Sequence, residues 1–170
     1  AMGADLLVVG SRSRNMVSRI FLGSVASDLV RRTEFPLLLQ WLEPNGDATA
    51  GCTAVCADAL RHVLLATDLS RHAASAERAA VQLAPAAPIV DCLVVLTPDA
   101  VAATPALPLM VRAAADALRA RIEAAGGRGE ALVLAGDPHE AIARVARERD
   151  CSLIVCGKHG RNWIERKVIG

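Results

Sequence analysis

Short apolar runs alternate along the chain with longer stretches in which apolar residues recur every three or four positions. The short runs are typical of strands buried in a parallel sheet, and the longer stretches are typical of helices that pack on such a sheet. Strands that alternate with helices predict right-handed crossovers and a parallel sheet covered on both faces. The predicted strands cover residues 6–9, 37–42, 62–67, 89–96, 131–135 and 153–156.

Four helices are predicted between these strands. The first covers residues 24–32, and the second begins at Ser70, a residue type that is favoured as a helix cap. The third follows a proline-containing loop at 97–107 and ends at Gly126, and the fourth covers residues 138–149. The apolar stripe of the third helix is formed by Val111, Ala114, Leu118 and Ile122.

An internal repeat is visible around two glycine-containing stretches. The stretch at 10–13 is followed by nine residues and Gly23-Ser24, and the stretch at 157–160 is followed by nine residues and Gly170. The offset is 147 residues, the distance from Gly10 to Gly157, which is the length of a small domain. The chain therefore contains parts of two copies of one unit. The flanking residues Leu6, Val8, Arg14, Asn15 and Arg19 recur as Leu153, Val155, Arg161, Asn162 and Arg166.

The repeat predicts an unusual domain organisation. Residues 1–42 correspond to the last part of a first copy, with a strand, a glycine loop, a helix and a strand. Residues 43–60 contain the turn-forming sequence Pro44-Asn45-Gly46 and small residues throughout, and they are predicted to be a linker. Residues 61–170 form a second copy that lacks its last helix and strand, as in a truncated chain. The helix and strand at 24–42 could complete that copy, within one chain or by exchange between two chains.

Composition narrows the class of protein. Among the 170 residues, 53% are apolar but only 2% are aromatic, which is typical of an α/β interior rich in alanine and aliphatic residues. The net charge of +1 gives no electrostatic reason to expect nucleic acid or an anionic membrane as a partner. We also expect no membrane span and no export leader, and therefore a cytoplasmic location. The five cysteines have no framework spacing and are predicted to be reduced thiols.

The glycine stretches suit a polyphosphate. Each follows a predicted strand, and ligands of such sheets bind at the carboxyl ends of strands, where the connections diverge. Glycines let backbone N–H groups approach an anion, and a helix that begins near the last glycine presents free amides and the positive end of its dipole. Ser24 could add a hydroxyl group to a phosphate oxygen. The alternative is that the glycines mark only a tight turn.

Asp68 follows the strand predicted at 62–67 and is expected at the same edge of the sheet. A carboxylate there is suited to accept hydrogen bonds from a base or a ribose rather than to contact phosphate. Asp68 and Ser70 could equally be caps of the helix that follows. Capping and ligand contact are compatible.

Together these motifs resemble the universal stress protein family, and specifically its tandem members. The family's ATP-binding motif is G-x2-G-x9-G-[ST], which Gly157, Gly160 and Gly170 match up to the final hydroxyl residue. The segments 65–70, 136–138 and 35–39 resemble the end of the family's first strand, the junction after its third strand and its last strand. The resemblance implies a Rossmann-like, open, parallel five-stranded sheet of the adenine-nucleotide alpha hydrolase type, with helices on both faces.

The resemblance also implies a nucleotide site, with ATP as the ligand and Mg as a possible accompanying ion. The first copy departs from the motif at Ser13, which stands in place of the second glycine, and Ala66 stands where nucleotide-binding members often have proline. Lys158 could pair with a phosphate or be merely solvated. The implied nucleotide-binding residues are Ala66, Asp68, Leu96, Gly157, Gly160 and Gly170, with Gly10, Gly23 and Ser24 from the first copy.

The sequence gives little indication of a metal site or of a catalytic site. The pair Cys52 and Cys56 lacks the second pair of ligands that a tetrahedral zinc site needs, so we expect no metal site. The four histidines are scattered, and no serine, histidine and acid set is assembled by local spacing. We therefore expect at most slow ATP hydrolysis and no catalytic residue.

The sequence predicts an ATP-binding regulatory module that responds to stress or energy state. The alternative within the same family is an interaction module that binds no nucleotide and forms dimers through the sheet edge and the strand at 37–42. A slow ATPase is the third candidate. The expected partners are an adenine nucleotide and either a second copy of the chain or the neighbouring repeat, with neither nucleic acid nor membrane.

Overall fold

The computed structural model describes residues 6–12, 24–33, 36–44, 52–54 and 58–158. The chain divides into two compact units, Ala1–Ala57 and Asp58–Gly170. The boundary between the units falls inside the segment 43–60 that was predicted to be a linker.

Among its described residues, the first unit contains a three-stranded sheet with the order β1-β2-β3. Strands β1 and β2 are parallel, with Leu7 opposite Leu37, and β3 runs antiparallel to β2. Parallel neighbours need a crossover connection, and the helix α1 lies between β1 and β2 in the chain. The elements are β1 Leu7–Arg12, α1 Ser24–Arg32, β2 Leu37–Pro44 and β3 Cys52–Ala54.

Two features of the first unit differ from the predictions. Strand β1 does not end before Gly10 but continues through it to Arg12, with Gly10 opposite Gln40. Strand β3 lies inside the predicted linker, where Cys52 pairs with Pro44. In both cases the backbone N–H and C=O groups of the additional residues pair with β2. Such backbone pairing does not require a run of apolar side chains, so the sequence does not reveal it.

The second unit contains a four-stranded, fully parallel sheet with the order β6-β5-β4-β7. The predicted helices and strands of this unit are all present, and the strands at 131–135 and 153–156 have the predicted bounds. The elements are β4 Val63–Ala66, α2 Ala74–Leu83, β5 Val90–Leu96, α3 Pro98–Ala103, α4 Leu107–Ala124, β6 Ala131–Ala135, α5 Pro138–Glu148 and β7 Leu153–Cys156.

The prediction of a Rossmann-like α/β fold is confirmed, but the strand count differs from the expected five. In the described residues of the second unit the sheet has four strands, and β1 and β2 pair with each other in the first unit. The physical reason is that β1 and β2 are adjacent in the chain and share α1 as a crossover, so each satisfies the other's backbone groups.

The core of the second unit lies on both faces of β4. Val63 and Leu65 pack with α2 and α4 on one face, and Leu64 packs with Val145 of α5 on the other. All of β4 is buried, as expected for a central strand between two helical layers.

Two predictions about helices in this unit were wrong. The segment predicted as a loop at 97–107 contains α3, which has Pro98 in its first turn, where a proline without an N–H is tolerated. In α4 the residue that completes the apolar stripe is Ala115, which is fully buried, whereas Ala114 is exposed. Three alanines are consecutive there, so composition could not tell which one faces the sheet.

A buried carboxylate, Asp91, connects the elements at the amino ends of the strands. Its Oδ2 lies 2.9 Å from His62 Nε2 and 2.9 Å from Arg149 Nη1. Its Oδ1 accepts a hydrogen bond of 2.8 Å from the Glu130 N–H, and Arg149 also contacts the Glu130 carboxylate. The charge of Asp91 is therefore matched by donors from three other segments of the chain.

Candidate functional site

The strand order places a crevice at the carboxyl ends of β4 and β7. The chain leaves β4 to one side, through α2 to β5, and returns to the other side of β4 through α5 and β7. The connections diverge at this point, which is where open α/β sheets bind ligands. Ala66 is opposite Cys156 in the register, so the loops that begin at Thr67 and Gly157 leave the sheet side by side.

The loop after β4 is a pair of overlapping side-chain turns. The Leu69 N–H donates to Thr67 Oγ1 at 2.9 Å, and the Ser70 N–H donates to Asp68 Oδ1 at 3.0 Å. Leu69 has a φ of 57°, a left-handed conformation that costs a residue with a Cβ about 1 kcal/mol or more. The loop that carries Asp68 therefore holds a strained backbone, which the two side chains stabilise.

Thr67 connects this loop to both neighbouring elements. Its N–H donates to the Leu93 carbonyl of β5 at 3.0 Å, and its hydroxyl donates to Glu77 Oε1 of α2 at 2.7 Å. Thr67 is buried, so its hydroxyl needs these partners.

The prediction that Ser70 or Asp68 caps the following helix was wrong. Helix α2 begins at Ala74, its N-cap is Ala73, and no side chain makes a capping hydrogen bond there. The Ser70 hydroxyl accepts a hydrogen bond of 3.2 Å from the His72 N–H, inside the turn that precedes the helix. The left-handed conformation of Leu69 changes the direction of the chain, so the helix begins only at Ala74. The Asp68 carboxylate instead accepts a hydrogen bond within the loop, from the Ser70 N–H.

Leu96, one of the nucleotide-binding residues that the resemblance implies, has a backbone that faces β6 rather than the β4 side of the sheet. Its carbonyl accepts a hydrogen bond of 3.0 Å from the Gly136 N–H, on the β6 side of the sheet. Backbone groups of successive residues in a strand point alternately to the two neighbours, so those of Val95 point to the β4 side. The pairing of β4 with β5 ends at Ala66 and Leu93, so Val95 extends beyond it.

Val95 is therefore the residue of β5 whose backbone is directed toward the crevice, and sequence reasoning missed it. An error of one residue reverses the direction of every backbone group in a strand, and the apolar run at 89–96 has no polar position that would fix the register. Only the observed pairing distinguishes Val95 from Leu96.

The other predicted site residues are distributed over both units. Ala66 is the buried last residue of β4, and Gly157 follows β7 directly. In the first unit Gly10 lies within β1, and Ser24 is the first residue of α1. Gly23, Gly160 and Gly170 lie outside the described residues, as does Cys56 of the proposed thiol pair.

The described residues contain neither a cluster of metal ligands nor, at Cys92 and Cys151, an activated thiol. No group of three or more potential metal-ligating side chains occurs among the described residues. Burial raises the pKa of the Cys92 thiol to about 12 and also raises the pKa of Cys151, so neither is an activated nucleophile. Of the described helices, none combines the length and apolar character needed to cross a bilayer.

The all-parallel sheet, the helices on both of its faces and the crevice at the point where the connections diverge define a Rossmann-like α/β protein. The family model described as the universal stress protein family matches residues 1–39 and 59–170. The chain therefore belongs to the universal stress protein family.

Solved structures agree with this assignment. A protein of the universal stress protein family from Burkholderia pseudomallei is 29% identical with a TM-score of 0.52, covering 59% of this chain and 83% of that chain. A hypothetical protein, solved as a structural-genomics test case for assigning biochemical function from structure, is 20% identical. Its TM-score is 0.51, with 64% of this chain and 81% of that chain covered, and this likeness concerns the fold. No curated protein sequence matches the chain.

Proposed function

We propose that the protein is a regulatory module that binds an adenine nucleotide, with ATP as its ligand, in the crevice at the carboxyl ends of β4 and β7. The observation that carries this proposal is the position of Asp68, in a loop shaped by side-chain turns at the point where the connections of the sheet diverge. ATP occupancy would then report stress or energy state to a partner.

The crevice supplies suitable groups for the nucleoside end of the ligand. A carboxylate such as Asp68 accepts hydrogen bonds from ribose hydroxyl groups or from an exocyclic amine. The backbone of Val95 offers one donor and one acceptor on the same side, the combination that an adenine edge can pair with. Ala66 places no large side chain at the end of β4, which leaves room for a flat ring.

The loop that begins at Gly157 is the proposed phosphate end. Its glycine follows β7 beside the Asp68 loop, and the match of this segment to the family motif supports a role for Gly157, Gly160 and Gly170. A polyphosphate bound there could carry Mg. The roles of Gly10, Gly23 and Ser24 remain proposals from the repeat, as does the tandem organisation.

Binding is favoured over turnover. The described histidine that pairs with a carboxylate is His62, and it precedes β4 at the amino end of the sheet, opposite the crevice. Asp68 is engaged in its own turn through one oxygen. We therefore propose at most slow hydrolysis. A cytoplasmic location is also proposed, supported by the free thiols of Cys92, Cys151 and Cys156.

The test is direct identification of bound nucleotide. The purified protein is denatured, and the released small molecules are identified by chromatography and mass spectrometry, in parallel with Asp68→Ala. The control variant is Asp116→Ala, because Asp116 forms an exposed ion pair within α4. We expect retained ATP in the parent and the control and its loss in Asp68→Ala. Retained ADP alone would instead support hydrolysis.

A second candidate function, an interaction module that binds no nucleotide, is favoured by the position of β7 as the last strand of the sheet among the described residues of the second unit. This apolar strand is at the end of its sheet, and Ile154 is 43% exposed. Such an edge can pair with a second copy of the chain. An empty protein that also fails to bind added ATP, together with a dimer in sedimentation that Ile154→Lys dissociates, would establish this function instead.

A further inference from the structure

We infer that Glu77 is a positioning residue of the crevice: through the Thr67 hydroxyl it fixes the turn that carries Asp68 and thereby sets the affinity for the nucleoside part of the ligand. This inference rests on the proposed function and adds a specific residue to it. Glu77 itself is on α2 and need not touch the ligand.

The first step is the direction of the Thr67 proton. A hydroxyl group has one proton to donate and two lone pairs to accept with. The Thr67 hydroxyl donates to Glu77 Oε1 at 2.7 Å, and its oxygen accepts from the Leu69 N–H at 2.9 Å. Because the Glu77 carboxylate can only accept, it orients the proton toward α2 and leaves a lone pair for Leu69.

The second step is the dependence of the loop on that lone pair. Leu69 is left-handed, with a φ of 57°, and its side chain packs against two core clusters of the second unit. The side chain is thus anchored while the backbone is strained, and the Thr67 oxygen provides a partner for the Leu69 N–H. Asp68 lies between these two residues, so its backbone direction is fixed from both sides.

The third step is the rigidity of the support. Glu77 is partly buried in the first turn of α2, between Ala76 and Ala80, which pack in the core with Val63 and Leu65 of β4. Thr67 is held to β5 by its own N–H. Contacts within the chain therefore hold the Asp68 turn to α2, β4 and β5. Preorganisation of this kind lowers the cost of ordering a binding loop.

The experiment measures ATP affinity by isothermal titration calorimetry for Thr67→Val and Glu77→Ala. The conservative partners Thr67→Ser and Glu77→Gln keep a hydroxyl and an acceptor. Thr67→Val and Glu77→Ala are each expected to weaken ATP binding about tenfold, which corresponds to the loss of one hydrogen bond. Each conservative variant is expected to bind ATP with an affinity within about threefold of that of the parent. The control is Glu148→Ala, because Glu148 lies in an exposed ion pair of α5.

Two further measurements separate positioning from a general structural role. Thr67→Val combined with Glu77→Ala should bind ATP no more weakly than either single variant, because both act through the same hydroxyl. The affinity for adenosine, measured by competition with ATP, should fall in each variant by the same factor as the affinity for ATP, because the weakened contact is at the nucleoside end of the ligand.

Each outcome bears on a different proposal. A parent protein that binds no adenine nucleotide would overturn the proposed function. A parent that binds ATP, with Glu77→Ala unchanged, would overturn the role of Glu77 alone. Additive losses in the double variant, or losses that the conservative variants do not restore, would also overturn it. If Thr67→Val fails to fold, the comparison of ATP affinity between Glu77→Ala and Glu77→Gln still tests the role of Glu77, because alanine is well tolerated in a helix.

Discussion

The Nη1 of Arg149 lies 2.9 Å from the Oδ2 of Asp91, a carboxylate that is only 1% exposed. Asp91 is on β5, Arg149 follows α5, and His62 precedes β4, so one carboxylate joins three elements at the edge opposite the crevice. A buried charge is tolerated only when it is paired and hydrogen-bonded, and Asp91 meets both conditions. We expect this network to stabilise the second unit without touching a ligand.

Asp91→Asn is expected to destabilise the second unit by about 3 kcal/mol near pH 7, because Arg149 and His62 lose their buried charged partner. Burial alone would raise the pKa of Asp91, but hydrogen bonds from Glu130, His62 and Arg149 outweigh burial and lower that pKa below its ordinary value. A group with a depressed folded pKa stabilises the fold above its unfolded pKa and loses this effect as pH falls through the folded pKa.

The pH dependence of unfolding by urea checks this assignment. The difference in free energy of unfolding between the parent and Asp91→Asn should be constant above about pH 5 and shrink below about pH 4. Asp116→Asn is the matched control, since its ion pair is exposed. If the difference in free energy of unfolding stayed the same below about pH 4, Asp91 would not stabilise the fold as an ionised partner of Arg149 and His62.

Gly129→Ala is expected to destabilise the second unit by about 3 kcal/mol, because there is no room for a side chain at this position. A Cβ on Gly129 would lie 2.1 Å from the Val90 carbonyl oxygen, which belongs to the backbone and cannot move aside. Gly126 is the comparison: its φ is 101°, but a Cβ there would meet only Pro85, at 3.9 Å. Gly126→Ala should therefore cost about 1 kcal/mol, and equal losses for the two variants in urea unfolding would refute the steric explanation.

Periodicity and end signals were sufficient for most elements of the second unit. Consecutive apolar residues at 131–135, followed directly by Gly136, identified β6, and Pro138 identified the start of α5. Asp137 caps that helix by accepting hydrogen bonds from the His139 and Glu140 N–H groups. These signals are local, so the sequence contains them in full.

The predictions that were wrong concern features that depend on residues distant in the sequence. Which of Val95 and Leu96 points toward β4 depends on the pairing of β5 with both neighbours, and the left-handed Leu69 depends on Thr67 and on the core around its side chain. The pairing of β1 with β2 likewise involves a choice between partners that a single sequence does not specify. For the site, Asp68 was placed by its position after a strand, but its supporting residue Glu77 has no sequence signal, being one acidic residue in a helix.

Cys92 should resist alkylation in the folded protein. Burial, followed by the nearby charge of Asp91, raises the pKa of this thiol to about 12, so at pH 8 the reactive thiolate is about one part in ten thousand. Peptide mapping by mass spectrometry after brief iodoacetamide treatment should find Cys92 unmodified, and the same treatment in urea should modify it. Modification of Cys92 at the same rate with and without urea would show that β5 is accessible in the native state.

ATP should stabilise the second unit against urea in proportion to its binding. At a free concentration of 100 times Kd the expected gain is about 2.7 kcal/mol, provided that only the folded unit binds. Asp68→Ala should lose this gain, and its stability without ligand should fall by only about 1 kcal/mol, because Asp68 is partly exposed and its carboxylate accepts a local hydrogen bond from the Ser70 N–H. Asp116→Ala should keep the gain. If Asp68→Ala were stabilised by ATP as strongly as the parent, the ligand would bind away from this crevice, and the positions of Val95 and Glu77 would lose their functional meaning as well.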